Sequence, residues 1–270
     1  MTASRSHGLI PLAWMSMTAD GLRLAVGTFT AIPVPAPRRI TRSTARAAMI
    51  LAPLATLPIA AAAAVVGVVG GWAGVPHLVT AAVLVGVVAL GSRGLHVDGL
   101  ADTADGLSAS YDRAKALEVM RRGNTGPIGA VALVIVLITQ IAAAAAVLGR
   151  PWGAVAVGGL VCLSRVSLLI SCAAGFIAAR ADGLGAAVAG VVPRIVTGVG
   201  VVVAAGVACL LLAVTGSPWW LGVVAVVLSG VVALLLVLRC KSRFGGITGD
   251  VLGAGIELTL AALLIVGSAG

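Results

Sequence analysis

Apolar runs of close to twenty residues, separated by short polar gaps, set the pattern of this chain. An α-helix needs about 20 apolar residues to cross the roughly 30 Å of hydrocarbon in a bilayer, and these runs are rich in Ala, Val, Leu and Gly. They predict helices over residues 47–71, 76–92, 127–148, 152–174, 194–214, 218–238 and 251–267, about seven crossings. The expected fold is therefore all-α, a polytopic membrane helical bundle. Residues 1–46 are expected to form an N-terminal surface or re-entrant segment, because Pro33, Pro35 and Pro37 interrupt any helix there. The patch at residues 9–17 is short and broken by Pro11, and is not read as a cleaved signal peptide. Residues 47–270 form a single transmembrane domain, and 93–126 is its longest hydrophilic segment.

Composition agrees, with 60% hydrophobic and 10% charged residues and a mean hydropathy of +1.15. The net charge of +9 does not indicate nucleic acid, since the basic residues are scattered through short gaps and aromatics make up only 3% of the chain. The basic residues alternate instead. Arg38, Arg39, Arg42 and Arg46 precede the first run; Arg93, Arg113, Lys115, Arg121 and Arg122 follow the second; Arg180 and Arg194, then Arg239, Lys241 and Arg243, mark later gaps. The intervening gaps hold Arg150 and are flanked by Trp72, Trp152, Trp219 and Trp220. The positive-inside rule places the basic gaps in the cytoplasm, so a multi-pass protein of the cell (inner or plasma) membrane is expected, with 93–126 on its cytoplasmic face. Cys162, Cys172, Cys209 and Cys240 lie in or beside apolar runs without a Cys-x-x-Cys pair and read as small buried hydrophobes.

Within 93–126, Asp98, Asp102 and Asp105 fall at i, i+4 and i+7, in a chain with nine acidic residues. That spacing stacks three carboxylates on one helix face, where they repel unless a positive charge sits against them. Mg²⁺ suits such a face, because it takes one or two protein carboxylates, keeps waters and completes its shell with substrate phosphate. Next comes a short amphipathic helix, capped by Ser110 or Asp112 and with Glu118 four residues before Arg122. Beside the stripe, Arg121 and Arg122 are candidate phosphate ligands. Glycines at 123, 126 and 129 then run into Pro127, and a helix start of that kind presents amides to an anion. The stretch 245–257 is similar, bringing Thr248, Gly249, Asp250 and Glu257 to the start of the last helix. Gly249 and Gly253 there also fit a helix-packing seam. Arg165 lies inside an apolar run, where it serves either function or a salt bridge to one of these acids. His96 is either a base or phosphate ligand, or a satisfied interfacial histidine.

The run from Gly94 to Gly106, the Leu117–Arg121 stretch with its glycine-rich sequel, the stretch 246–254 and the Pro33-Val34-Pro35 segment together resemble the cobalamin synthase family. The resemblance covers nearly the whole chain. It implies a membrane adenosylcobinamide-GDP ribazoletransferase that joins α-ribazole, or its 5'-phosphate, to adenosylcobinamide-GDP, releasing GMP with Mg²⁺ required. It makes 47–270 a catalytic domain. Many members carry an acid where Arg122–Thr125 stand, and often one three residues beyond the Glu257 position, here Leu260; the stripe is left as the main metal site.

The expected assignment is Asp98 and Asp102 on Mg²⁺, Asp105 as third ligand or base, and Asp250 completing the metal shell or orienting ribazole. Arg121, Arg122, Gly126 and Gly129 would hold phosphate, and His96, Arg165, Thr248, Gly249 and Glu257 would support catalysis or substrate binding. A CDP-alcohol phosphotransferase is the nearest alternative, but its downstream pair of aspartates is missing here. A secondary transporter would string acids along a midplane path, whereas these cluster in one segment.

Overall fold

The computed structural model describes residues 9–270, with side chains described from residue 18 onward. Among the described residues there are thirteen α-helices and no strand. α1 (Leu9–Phe29) and α2 (Arg42–Ala55) are joined by an extended connector that holds Pro33, Pro35 and Pro37. The prolines exclude helix as expected. The chain before them, however, runs as one helix through Pro11 and packs on α2, so much of the expected surface or re-entrant segment is helical. Pro11 sits in the first turn, where its missing N–H is not needed.

α2 and α3 (Leu57–Trp72) form one 31-residue apolar segment. It is broken at Thr56, whose hydroxyl donates to the carbonyls of Ala52 and Pro53, each at 3.0 Å, because loose carbonyls are costly at membrane depth. α4 (His77–Gly91) is too short to qualify as a crossing alone. It does so only together with α5 (Leu95–Ala109), from which it is bent by 88°; Gly94 at the bend has φ +69, a conformation that suits glycine. α6 (Arg113–Arg121) is capped by Asp112, which accepts from the amides of Ala114 and Lys115.

The remaining crossings are α7 (Pro127–Leu148), the pair α8 (Gly153–Leu163) and α9 (Ser167–Ser171) with a 3-10 turn between them, α11 (Arg194–Ala213), α12 (Leu221–Phe244) and α13 (Gly249–Ser268). The short α10 (Gly183–Val188) lies in the loop before α11. With the α2–α3 segment these make six helical segments long and apolar enough to span a membrane, or seven with the α4–α5 pair. The protein is a polytopic helical bundle.

α13 is its axis. It packs against α5, α7 and α12, and from Val251 to Leu264 only Leu258 is not fully buried. Its far end is fixed by Arg150, which donates to the carbonyls of Gly267 and Ser268. Trp72, Trp152, Trp219 and Trp220 are exposed at that same end, away from the polar residues discussed next.

Candidate active site

The aspartate stripe meets the start of α13 because glycine permits it. A Cβ on Gly99 would stand 2.7 Å from the Asp250 carbonyl oxygen, and one on Gly253 would stand 3.0 Å from the His96 Cα. Two glycines, one per helix, therefore let α5 and α13 touch backbone to backbone and set Asp98 beside Asp250. Thr248 caps α13 by accepting from the Val251 amide, and its hydroxyl donates to the Asp250 carboxylate at 3.1 Å. Both aspartates line a cleft of about 320 Å³, at the lower end of small-molecule pockets. Its other walls include Phe29, His96, Arg121, Arg180, Asp182 and the N-terminus of α13.

The stripe descends from water into protein. Asp98 is exposed, whereas Asp102 and Asp105 are buried. Burial, then the charges of Asp98, Asp250 and Asp105, push the Asp102 carboxyl up to about 6, with Arg180 opposing. Asp102, Asp98 and Asp250 therefore share one negative field that Arg180 partly balances. Among the described residues, no three His, Cys, Asp or Glu side chains form a ready metal cage; the carboxylates are neighbours around an open cleft.

Asp105 departs from its expected place as metal ligand or base. Its two oxygens accept from the amides of Gly126 at 2.6 Å and Gly129 at 2.8 Å, so it caps α7. The same bonds correct the expected phosphate role of Gly126 and Gly129: the anion at that helix start is the protein's own carboxylate, and neither glycine lines the cleft. Arg122 is likewise drawn away, donating to Glu118 at 2.8 Å on the exposed side of α6. Arg121 does face the cleft and reaches Asp182 at 3.3 Å.

Arg165 and Glu257 also lie off the cleft, within the bundle. Arg165 is fully buried and donates to the Val161 carbonyl and the Ser164 hydroxyl. Glu257 accepts from the Gln140 amide at 2.8 Å. Its other oxygen lies 3.9 Å from His96 Nδ1, beyond hydrogen-bond reach. Burial, and then the Arg165 charge, hold the His96 pKa well below its ordinary value, so the imidazole is neutral and lines the cleft floor beside Phe29.

The sequence reading did not single out Arg180 or Asp182 as site residues. Both stand in the loop between α9 and α10, and the Arg180 guanidinium is steadied by donating to the Leu117 carbonyl. The available signal was an Arg, an Asp and two glycines within six residues, 180–185, in a chain poor in acids.

A family model described as cobalamin-5-phosphate synthase matches residues 21–268. The chain is 47% identical over 250 residues to an adenosylcobinamide-GDP ribazoletransferase of Nocardioides sp. (strain ATCC BAA-499 / JS614), covering 93% of this chain and 99% of that one. It is 37% identical over 259 residues to one of Frankia casuarinae, covering 90% and 92%, and 30% identical over 257 residues to one of Chlorobium chlorochromatii, covering 92% and 95%. No solved structure matches. With the family model matching from α1 through α13 and relatives aligned over nearly their whole length, the chain belongs to the cobalamin-5-phosphate synthase family.

Proposed function

We propose that the cleft between α5, α13 and the α9–α10 loop is the active site of an adenosylcobinamide-GDP ribazoletransferase. A ribose hydroxyl of α-ribazole, or of its 5'-phosphate, attacks the phosphorus nearer cobinamide. A new phosphate ester forms, the phosphoanhydride breaks, GMP leaves, and the hydroxyl proton passes to a nearby base or water. Transfer of this kind is achieved mainly by positioning and charge neutralisation.

The residues divide that work. Arg121 and Arg180, with the N-terminus of α13 at Gly249, supply positive potential for the diphosphate. The observation that carries the reading is the meeting of Asp98 and Asp250 on one cleft, with Asp102 beneath them, its carboxyl raised by burial first and then by both charges. Such an open set of carboxylates fits Mg²⁺, which uses few protein ligands; Asp98, Asp102 and Asp250 would hold it. When bound, the ion would neutralise charge on the diphosphate oxygens. His96, neutral and on the cleft floor, orients the incoming hydroxyl. The cleft lies at the bundle end that carries the basic loops, and the positive-inside rule puts that end in the cytoplasm of a cell-membrane protein.

The test is turnover of the full chain in liposomes, measured as GMP release and cobalamin formation from adenosylcobinamide-GDP and α-ribazole. Asp98→Asn and Asp250→Asn, folded to the same extent as the parent, should each lower kcat by about a hundredfold or more. Chelation of Mg²⁺ should stop turnover reversibly. Parental rates in either variant would remove this cleft from the chemistry, and turnover in chelator would remove the metal.

A further inference from the structure

A second hollow, of about 690 Å³, runs down the outside of the bundle between the α2–α3 segment, α8 and α11. No lining residue is charged, and the walls include the exposed side chains of Leu54, Leu57, Val199 and Val203. On α11 it extends from Val196 to Leu211, about 22 Å at 1.5 Å per residue. One leaflet is about 15 Å deep, half the hydrocarbon core, so the groove accommodates an extended chain through a whole leaflet.

Its mouth, at the end of the bundle that carries the cleft, is basic. Arg46 is one turn above the lining residue Ile50 and Arg42 is one turn beyond Arg46, so both continue the α2 face that lines the groove. Each uses one nitrogen to donate to a carbonyl of the loop before α11: Arg42 to Gly190 and Arg46 to Val191 at 2.8 Å. Both are exposed, and among the described residues neither has a carboxylate within ion-pair distance. The loop's own acid, Asp182, is taken by Arg121.

We infer that this groove binds an anionic glycerophospholipid, one acyl chain lying along α11 and the phosphate seated between Arg42 and Arg46. The pairing of a long uncharged furrow with unmatched guanidiniums at headgroup level is what such a molecule complements. A second copy of the chain is a poorer occupant. A symmetric contact across this face would press like charges together. The inference is independent of the ribazoletransferase reading.

The experiment is native mass spectrometry of the delipidated full chain, titrated with dioleoyl phosphatidylglycerol or dioleoyl phosphatidylcholine. Preferential retention of phosphatidylglycerol is expected. Each basic residue near an anionic lipid contributes about a factor of five, so Arg42→Gln with Arg46→Gln should lower that retention about 25-fold. Ala61→Trp, which fills the groove, should reduce retention of both lipids. Should the double variant fail to fold, Arg42→Gln at an exposed helix start should still lower phosphatidylglycerol retention about fivefold. Equal retention of the two lipids overturns the inference, as does insensitivity to the arginine variants. So does conversion of a dimer to a monomer by Ala61→Trp with lipid retention intact, which would make the groove a subunit interface.

Discussion

Gly99→Ala isolates what the α5–α13 contact does for the site. The new Cβ would lie 2.7 Å from the Asp250 carbonyl oxygen and 3.0 Å from its Cα. Carbon–oxygen contacts relax near about 3.3 Å, so the helices must part locally by about 0.6 Å. Neither partner yields easily, since the obstructing atoms are backbone. Overpacking of this kind costs about 1–3 kcal/mol, offset by about 1 kcal/mol from the better helix propensity of alanine; the net loss of stability is therefore small. The effect on rate is not. Asp98 and Asp102 move with α5 while Asp250 stays with α13, and a misplacement of about 1 Å at a reacting centre costs about a hundredfold. A separation of about 0.6 Å should thus lower kcat about tenfold or more.

The comparison is internal to the chain. Gly253→Ala meets the His96 Cα at 3.0 Å and its carbonyl oxygen at 3.2 Å, a looser contact, and should have a smaller effect. Gly86→Ala has nothing within 4 Å and should be neutral or raise the melting temperature. GMP release in liposomes and thermal unfolding in detergent give both readouts. If Gly99→Ala turns over like the parent, or if Gly86→Ala is as damaging, the glycine seam does not set the carboxylate geometry.

Three further outcomes follow from the same site. Asp105→Ala should lower stability by about 1–2 kcal/mol, as loss of a helix cap does, while Mg²⁺ still raises the melting temperature; abolition of that rise would return Asp105 to the metal. The Asp102 carboxyl, at about 6 when folded against 3.8 in the open chain, holds a proton between those values that the unfolded state has released. Stability of the metal-free protein should therefore fall as pH rises through that window and level off above it. Mg²⁺ must displace that proton, so its stabilising shift should be larger at about pH 7.5 than at about pH 5; equal shifts would take Asp102 out of the metal shell. Arg180→Gln should raise KM for adenosylcobinamide-GDP by about tenfold through one lost charge-assisted contact, and an unchanged KM would mean that Arg180 serves only to hold its loop on the Leu117 carbonyl.

The bundle was legible because hydrophobic length is a direct physical requirement: α7, α11 and α13 begin and end close to where the runs do. α4 was not resolved as a half of a bent pair, since the 88° turn at Gly94 is a packing outcome that composition does not carry. Within the site, Asp98, Asp102 and Asp250 were identified by the cost of their charges in an apolar chain. Arg180 escaped because a lone arginine in a loop has the same appearance whether it marks topology or faces a carboxylate. Glu257 and Arg165 were recognised as costly buried charges, but the side on which each finds its partner depends on helix rotation, which places Gln140 beside Glu257 and both off the cleft.

Spacing at i, i+4 and i+7 establishes that carboxylates share a face, but not that they share a depth. Asp98 ends in water and Asp105 under the start of α7, so one stripe serves two ends, an open site and a buried clamp between α5 and α7. The glycine-rich start of α7 was read as a place for an anion, and it does hold one. A tethered carboxylate is present at an effective concentration no free phosphate reaches, and it satisfies the amides without losing translational freedom. An external phosphate would have to displace Asp105 and leave that charge buried without its two donors, a cost of several kcal/mol. In the proposed function the diphosphate is therefore left to the second glycine-rich start, at α13, whose opening residues border the cleft and whose own acid, Asp250, is bonded to Thr248.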